Sequence, residues 1–310
     1  MFLNGSHTGG GNYIVSNSTL AGVGSTTSAV TINGGGTLSP GAGPGTISTG
    51  SLTINGTLEI DADNNTPGTG HDQVIVTGTA TLGASSVLVI DTGAGLNPAD
   101  SLVVIDNDGA GDAITGTFSG LAEGAAFDAG DVGFDATAAY GAGDGNDFVI
   151  NFSGYTVFGQ WRLDYYGNPA DVGAGANSAV GANTLTNLQN FAFGLNPLVA
   201  TGSLDVDTVN SIISLGPPTV WVDPATNRKF MRHTRRADFA AVSLAINPQF
   251  SSQQLLTAFE NNDDVSNPPT VIATDTGAGG VAIEAVQTEF PLILPTDGRK
   301  GRYGRINVSN

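Results

Sequence analysis

Acidic side chains gather in three short stretches, and each has a chemistry to weigh. Asp106-Asn-Asp-Gly-Ala-Gly-Asp112 sets oxygens at alternating positions around a Gly turn. Asp106, Asp108 and Asp112 are therefore candidate ligands for calcium, a hard cation that takes six or more oxygens. The stretch lacks the closing bidentate Glu of a complete calcium loop, and the same residues also suit an Asx-type turn between strands. Gly143-Asp-Gly-Asn-Asp147 has the form of a single calcium-binding turn, a device that works in tandem arrays. Asp61-Ala-Asp63 reads as polar surface at a strand end.

Catalysis makes further demands. Cleaving a glycosidic bond takes two carboxylates that flank it, and no cluster of acid, His and Arg is visible here. The histidines (His7, His71 and His233) are far apart in the chain, and no nucleophile-elbow motif occurs. His71 is expected at the surface or in a turn. These residues point to a protein that is not an enzyme and has no cofactor, calcium at the 106–112 loop excepted.

One basic cluster stands out, Arg228-Lys-Phe-Met-Arg-His-Thr-Arg-Arg236. Alternation along a strand would set Arg228 and Arg232 on one face and Arg235 on the other. Arg228, Arg232, Arg235 and Arg236 have two uses open to them: pairing with acids of their own domain, or docking onto an acidic surface such as a neighbouring subunit. Asn-x-Ser/Thr triplets at Asn4, Asn17, Asn55, Asn64, Asn151 and Asn307 are candidate glycosylation sites.

The elements that must carry these residues are announced by composition. All ten Lys and Arg of the 310-residue chain lie after residue 160, so a formal charge of −18 is segregated: residues 1–154 hold 15 acids and no base. They also hold 31 of the 45 glycines. The shift places domain boundaries at 1–154, 155–200 (a short helical linker) and 201–310. A Lys/Arg-free half leaves no cation for a phosphate-binding loop. The absence of Cys excludes disulfides and thiolate metal sites. A pI near 4.1 argues against nucleic acid, and no apolar run is long enough for a membrane-spanning helix.

Within 1–154 a motif recurs: Val30-Thr-Ile-Asn-Gly, Leu52-Thr-Ile-Asn-Gly and Val74-Ile-Val-Thr-Gly, at a constant offset of 22 residues. Apolar residues alternate and a Gly turn closes each copy, which is strand periodicity. About three such strands per repeat predict a right-handed parallel β-helix with Ile32, Ile54 and Val76 in one column; an antiparallel sandwich is the rival. Ser86–Ile90 and Ser101–Ile105 read as buried strands. Phe118, Phe127, Phe134 and Phe148 read as a terminal cap. Beyond the boundary, 161–167 and 184–197 read as short helices, the second stopped by Gly194. Strands expected at 219–222, 229–235, 242–246, 271–273, 281–286 and 303–308 then suggest a small antiparallel β-sandwich. The fold class is therefore mainly all-β.

Several motifs in order resemble the autotransporter-associated β-strand repeat region and its cap: Gly34-Gly-Gly-Thr-Leu-Ser-Pro-Gly-Ala-Gly-Pro-Gly-Thr-Ile, Gly68-Thr-Gly-His-Asp-Gln-Val-Ile-Val-Thr-Gly, Val104-Ile-Asp-Asn-Asp-Gly and Thr115-Gly-Thr-Phe-Ser-Gly-Leu-Ala-Glu-Gly-Ala. Trp161-Arg-Leu-Asp-Tyr-Tyr-Gly, Leu185-Thr-Asn-Leu-Gln-Asn-Phe-Ala-Phe-Gly-Leu-Asn-Pro and Arg302-Tyr-Gly-Arg-Ile-Asn-Val resemble a C-terminal module of secreted proteins of the Verrucomicrobia type. The resemblance implies an extracellular or cell-surface β-helix without enzymatic activity. It also implies an Asp-rich calcium loop before the Leu185 helix; here Asp171–Thr184 holds a single acid, so that site is expected to be lost or weak. No signal peptide is visible at Met1-Phe-Leu-Asn-Gly-Ser. The expectation is a structural subunit of a surface fibre, partnered by copies of itself, with Tyr13, Ile14 and Val15 at one end and Arg305, Ile306 and Val308 at the other carrying the contacts. A carbohydrate-binding adhesin or spacer that meets surface polysaccharide is the alternative, and a polysaccharide lyase or hydrolase the third.

Overall fold

A computed structural model describes the chain except for residues 94, 109–110, 131–132, 170–171, 180–181, 263–267 and 310. The chain is mainly β, with 43% of residues in strands and 8% in helices. It divides into two units: Met1–Leu163 with the stretch from Asn168, and Asp164–Gly167 with Val172–Asn310.

Three sheets of parallel strands build the first unit. Sheet I runs Tyr13–Val15, Val30–Ile32, Leu52–Ile54 and Ala80–Leu82. Sheet II runs Thr19–Gly22, Thr37–Pro40, Thr57–Ala62 and Val87–Thr92. Sheet III begins Ser6–His7, Ser25–Thr26, Thr46–Thr49, Gln73–Val76 and Ser101–Asn107. The chain visits the sheets in rotation, III, I, II, so each strand lies beside the one laid down a full circuit earlier. Alternation explains the burial: Val30, Ile32, Leu52 and Ile54 are buried and Thr31 and Thr53 face outward. Leu20, Leu38 and Leu58 do the same in sheet II, and Ile47, Val74 and Ile105 in sheet III. One continuous apolar core results.

The constant 22-residue offset does not survive. Ile32 stands against Ile54, but the next residue in that column is Leu82, 28 residues on. The third motif copy belongs to sheet III, where Val76 stands against Thr49. The extra residues form a turn outside the ladders, closed by Asp63 N→Gly70 O (2.6 Å) and Gly68 N→His71 O (2.8 Å). Most inward positions in all three sheets hold aliphatic residues, so the motif marks a strand without saying which sheet it joins. Val87–Thr92 also departs from expectation: as the outer strand of sheet II it leaves Val87 and Val89 exposed at 45% and 44%.

Sheet III continues into an antiparallel extension of Asp147–Tyr155, Phe134–Ala142 and Ala126–Ala129. Phe118, Tyr140 and Phe148 close the core there, with ring centroids 5.1 Å apart for Phe118 and Phe148 and 4.7 Å for Tyr140 and Phe148. The Tyr140 hydroxyl donates to Leu121 O (2.7 Å) and accepts from Phe118 N (3.0 Å), so the buried ring keeps its polar end satisfied.

The second unit is antiparallel. One sheet orders Thr219–Val222, Lys229–Arg236, Ala282–Glu289 and Thr270–Thr276, and a second orders Glu260–Asn261, Ala245–Ser251 and Tyr303–Ser309; Asp205–Asp207 and Ile212–Ser214 form a hairpin. Helix Asn187–Phe193 starts in a Thr186/Gln189 capping box and ends on Gly194 at φ 68°. It is docked on Lys229–Arg236 by Thr234 Oγ1→Phe193 O (2.7 Å), so 187–193 is part of this unit's packing. The other helix, Val157–Tyr166, begins four residues earlier than its aromatic motif suggests. Residues 242–244 turn under Val242 N→Asp238 O, and the strand expected there starts at Ala245.

The register is directly testable because the chain has no native Cys. Thr53→Cys with Thr81→Cys, outward neighbours in sheet I, should oxidise to a disulfide readily, whereas Thr53→Cys with Ile75→Cys, the pair a uniform 22-residue repeat requires, should remain reduced. Mass spectrometry under mild oxidation reads the difference.

Candidate functional site

The outward face of sheet II gathers acids. Glu59 and Asp61 alternate with buried Leu58 and Ile60 on Thr57–Ala62, and in the parallel register Asp61 lies directly opposite Asp91 and Glu59 opposite Val89. Asp63 follows where the strand ends. Asp61, Asp63 and Asp91 with Gly43, Pro44, Ala62 and Gly93 line an open pocket of about 230 Å³. Burial holds the Asp61 carboxyl above its ordinary range, and the charges of Asp91 and Asp63 push the same way. The first unit has no Lys or Arg before Arg162 to offset them.

Behind this face sits Asp72, fully buried. Its Oδ1 accepts from Gly45 N (2.7 Å) and its Oδ2 from Asp61 N (2.9 Å), while its own N–H reaches Asp61 O (2.8 Å). One side chain thereby ties the entry to Thr46–Thr49, the strand Thr57–Ala62 and the start of Gln73–Val76. Burial raises its pKa to about 7 against the two N–H bonds that lower it, with Asp61 and Glu59 adding to the rise. His71, expected near the surface, is buried instead. Its Nδ1 and Nε2 lie 3.3 Å from Asn64 O and Val103 O, and burial lowers its pKa. Asp72 is engaged by main-chain N–H groups, and His71, both nitrogens of which face main-chain oxygens, donates to one of them in its neutral form.

The proposed calcium ligands do not converge. Asp106 points outward, its carboxyl raised by burial first and then by Asp147, Asp144 and Asp108. Asp112 contributes its main-chain oxygen, which accepts from Asn107 Nδ2 (2.6 Å) and Asn146 Nδ2 (3.2 Å). Asp147 accepts Asn107 N (2.9 Å). Among the described residues no three His, Asp or Glu side chains form a group that could hold a metal ion. Asp171 lies outside the described residues, as do 180–181 of the stretch that follows it.

The basic strand is partnered within its own unit. Arg228 pairs with Glu289, its Nε 2.6 Å from Oε1. Arg232 lies 3.6 Å over the Trp221 ring and bonds Gln287 (3.2 Å). Arg235 pairs with Glu284 (2.8 Å), and Arg236 with Asp238 (2.8 Å) while stacking on Phe191 at 4.3 Å. Lys229–Arg236 is an inner strand, so Arg232, Arg236 and His233 are buried; His233 is held down to about 3, by burial first and then by Arg235.

The end strands are unequally available. Ile14 is 70% exposed, but Val15 is buried and the Tyr13 hydroxyl bonds His7 Nδ1 (2.7 Å). Ile306 is buried, Arg305 bonds Gln249 (2.7 Å), and Val308 is half-buried. Of the glycosylation triplets, Asn4, Asn17 and Asn307 are exposed, and Asn55, Asn64 and Asn151 half-buried. Asn151 Oδ1 already accepts from Ser101 Oγ (2.7 Å).

The sequence motifs missed the Asp61–Asp91 pairing and the Asp72 tie. A 22-residue step would set Asp61 against Gly83, and only the actual 30-residue step in sheet II brings Asp91 alongside. An isolated Asp after His at a strand start was the sole signal for Asp72.

Comparison of the chain with family models, curated proteins and solved structures finds no match.

Asp72→Asn keeps the shape but turns an NH2 group toward one of two N–H donors. It should lower stability by about 1–3 kcal/mol, read by urea unfolding. Because the folded pKa is raised from 3.8 to about 7, Asp72 favours the folded state below pH 3.8 and loses that contribution as pH climbs through 7. Stability should therefore fall less steeply across pH 4–8 in Asp72→Asn than in the parent chain.

Proposed function

We propose that the chain is a non-enzymatic structural protein of the cell exterior, a self-associating subunit of a surface fibre. Its first unit is read as a right-handed parallel β-helix with an antiparallel cap, and its second as a small β-sandwich. The observation that carries this reading is the use made of the first unit's interior. It is filled from Leu20 to Phe148 by aliphatic and aromatic side chains, and among the described residues its buried carboxyls, Asp72 and Asp147, and its buried imidazole, His71, face main-chain groups. Chemistry directed at other molecules is left to the outer faces and the sheet edges. The ladder ends at Tyr13–Val15 in sheet I, and an edge of this kind offers main-chain hydrogen bonds to another strand. Resemblance of the repeat and C-terminal motifs to secreted surface proteins supports the location. The adhesin alternative wants an exposed aromatic platform, and the Arg232 guanidinium already covers the Trp221 ring.

Negative-stain electron microscopy and sedimentation velocity over a concentration series test the reading. Elongated assemblies growing with concentration are expected. A chain that stays monomeric at the highest concentration reached would remove it.

A further inference from the structure

With the four strand arginines paired internally, the cations left to face outward cluster elsewhere. Lys229 is exposed, and its main-chain oxygen accepts from Phe290 N (2.9 Å) at the root of the 291–302 loop. That loop folds back on itself through Leu294 N→Arg299 O (2.8 Å) and Gly301 N→Pro291 O (3.0 Å). Buried Leu294 and the Phe250–Phe290 ring contact (4.8 Å) anchor it. It projects Arg299, Lys300 and Arg302, and beside them Leu292 and Ile293, exposed at 70% and 69%. Arg299 has only a loose ion pair with Asp297 (3.7 Å). An anchored loop that presents two bare aliphatic side chains among cations is a recognition surface in form.

The first unit carries its complement. The outer edge of sheet II shows two bare aliphatic residues, Val87 and Val89, on the strand that also carries Asp91, next to Glu59 and Asp61 in register. Both surfaces pair an aliphatic centre with a charged rim, net positive on the loop, where three cations outnumber Asp297, and negative on sheet II. Asp61 stands directly opposite Asp91 in the ladder with Asp63 beside it, so arriving cations relieve repulsion as well as gain attraction.

We propose that the basic loop 291–302 of one copy docks on the acidic outer edge of sheet II of a second copy, giving a heterologous head-to-tail contact. Its two patches differ, so each copy can engage two neighbours and the contact propagates. The interface rests on the self-association reading above and names the surfaces that would carry it.

A charge-swap pair tests it. The first variant is Arg299→Glu/Lys300→Glu/Arg302→Glu, and the second is Glu59→Lys/Asp63→Lys/Asp91→Lys, which leaves Asp61 as the one acid on a face of three lysines. All six positions are exposed, so unfolding midpoints should match the parent chain. Each variant alone should lose self-association by about tenfold or more, and an equimolar mixture should regain it, since every docking face then meets the opposite sign. Parent self-association should weaken as salt is raised. A parent chain that assembles while both variants assemble equally well overturns this interface and leaves self-association standing. Failure of the mixture to recover also overturns it. A parent chain monomeric at low salt, whether or not the loop binds an acidic polysaccharide, overturns both this interface and the fibre reading.

Discussion

Parallel stacking permits little freedom in one direction and much in another. Neighbouring strands sit about 4.8 Å apart, so an inward side chain must land on the inward side chain of the previous circuit or leave a void. Ile32, Ile54 and Leu82 obey this in sheet I, and Ile47, Val74 and Ile105 in sheet III. The connections between sheets face water and are under no such demand. Surplus chain is expelled there, which is why the columns keep register while the step along sheet I grows from 17 to 22 to 28 residues.

An expelled turn still needs fastening where it rejoins the ladder, and Asp72 does this. The 63–72 turn brings a carboxylate back under the sheet at the point where two main-chain N–H groups, Gly45 and Asp61, face inward. A carboxylate is the one side chain of this size able to accept from both with two oxygens. The same burial drives its pKa toward neutrality, so the fastening is held in tension between desolvation and hydrogen bonding. Asp61, whose main chain it holds, presents its side chain on the opposite, outward face.

What could be read from the sequence follows from this division. Alternation is a local property, so most repeat strands of the first unit, the inner strands of the second, the Gly194 helix stop and the aromatic closure were legible, while the cap strands over 126–155 and the 205–214 hairpin were not. Register is not local. Val74–Gly78 carries the same pattern as Leu52–Gly56 because both line one core, and nothing within the motif says that ten residues of turn have moved it to another sheet. The acidic face was illegible for that reason: Asp61 and Asp91 become neighbours only through the register. Arg228–Arg236 was visible as a basic strand, but its neutralisation depends on Glu284 and Glu289, 49 residues beyond Arg235 and 61 beyond Arg228.

Segregated charge then acquires a consequence. In a parallel ladder, acids at equivalent positions stand one above another, and each added circuit raises the repulsion along the outer face. A ladder built this way, with no Lys or Arg before Arg162, cannot neutralise its own outer face; neutralisation must come from solvent ions or from cations carried elsewhere. The second unit consumes four of its arginines in its own folding, in ion pairs and stacked on Trp221 and Phe191. It leaves a cationic loop with bare Leu292 and Ile293 outside that network. Internal pairing of the strand arginines therefore sharpens the complementarity between the two surfaces, because it leaves the loop cations as the exposed positive charges with the fewest acidic partners.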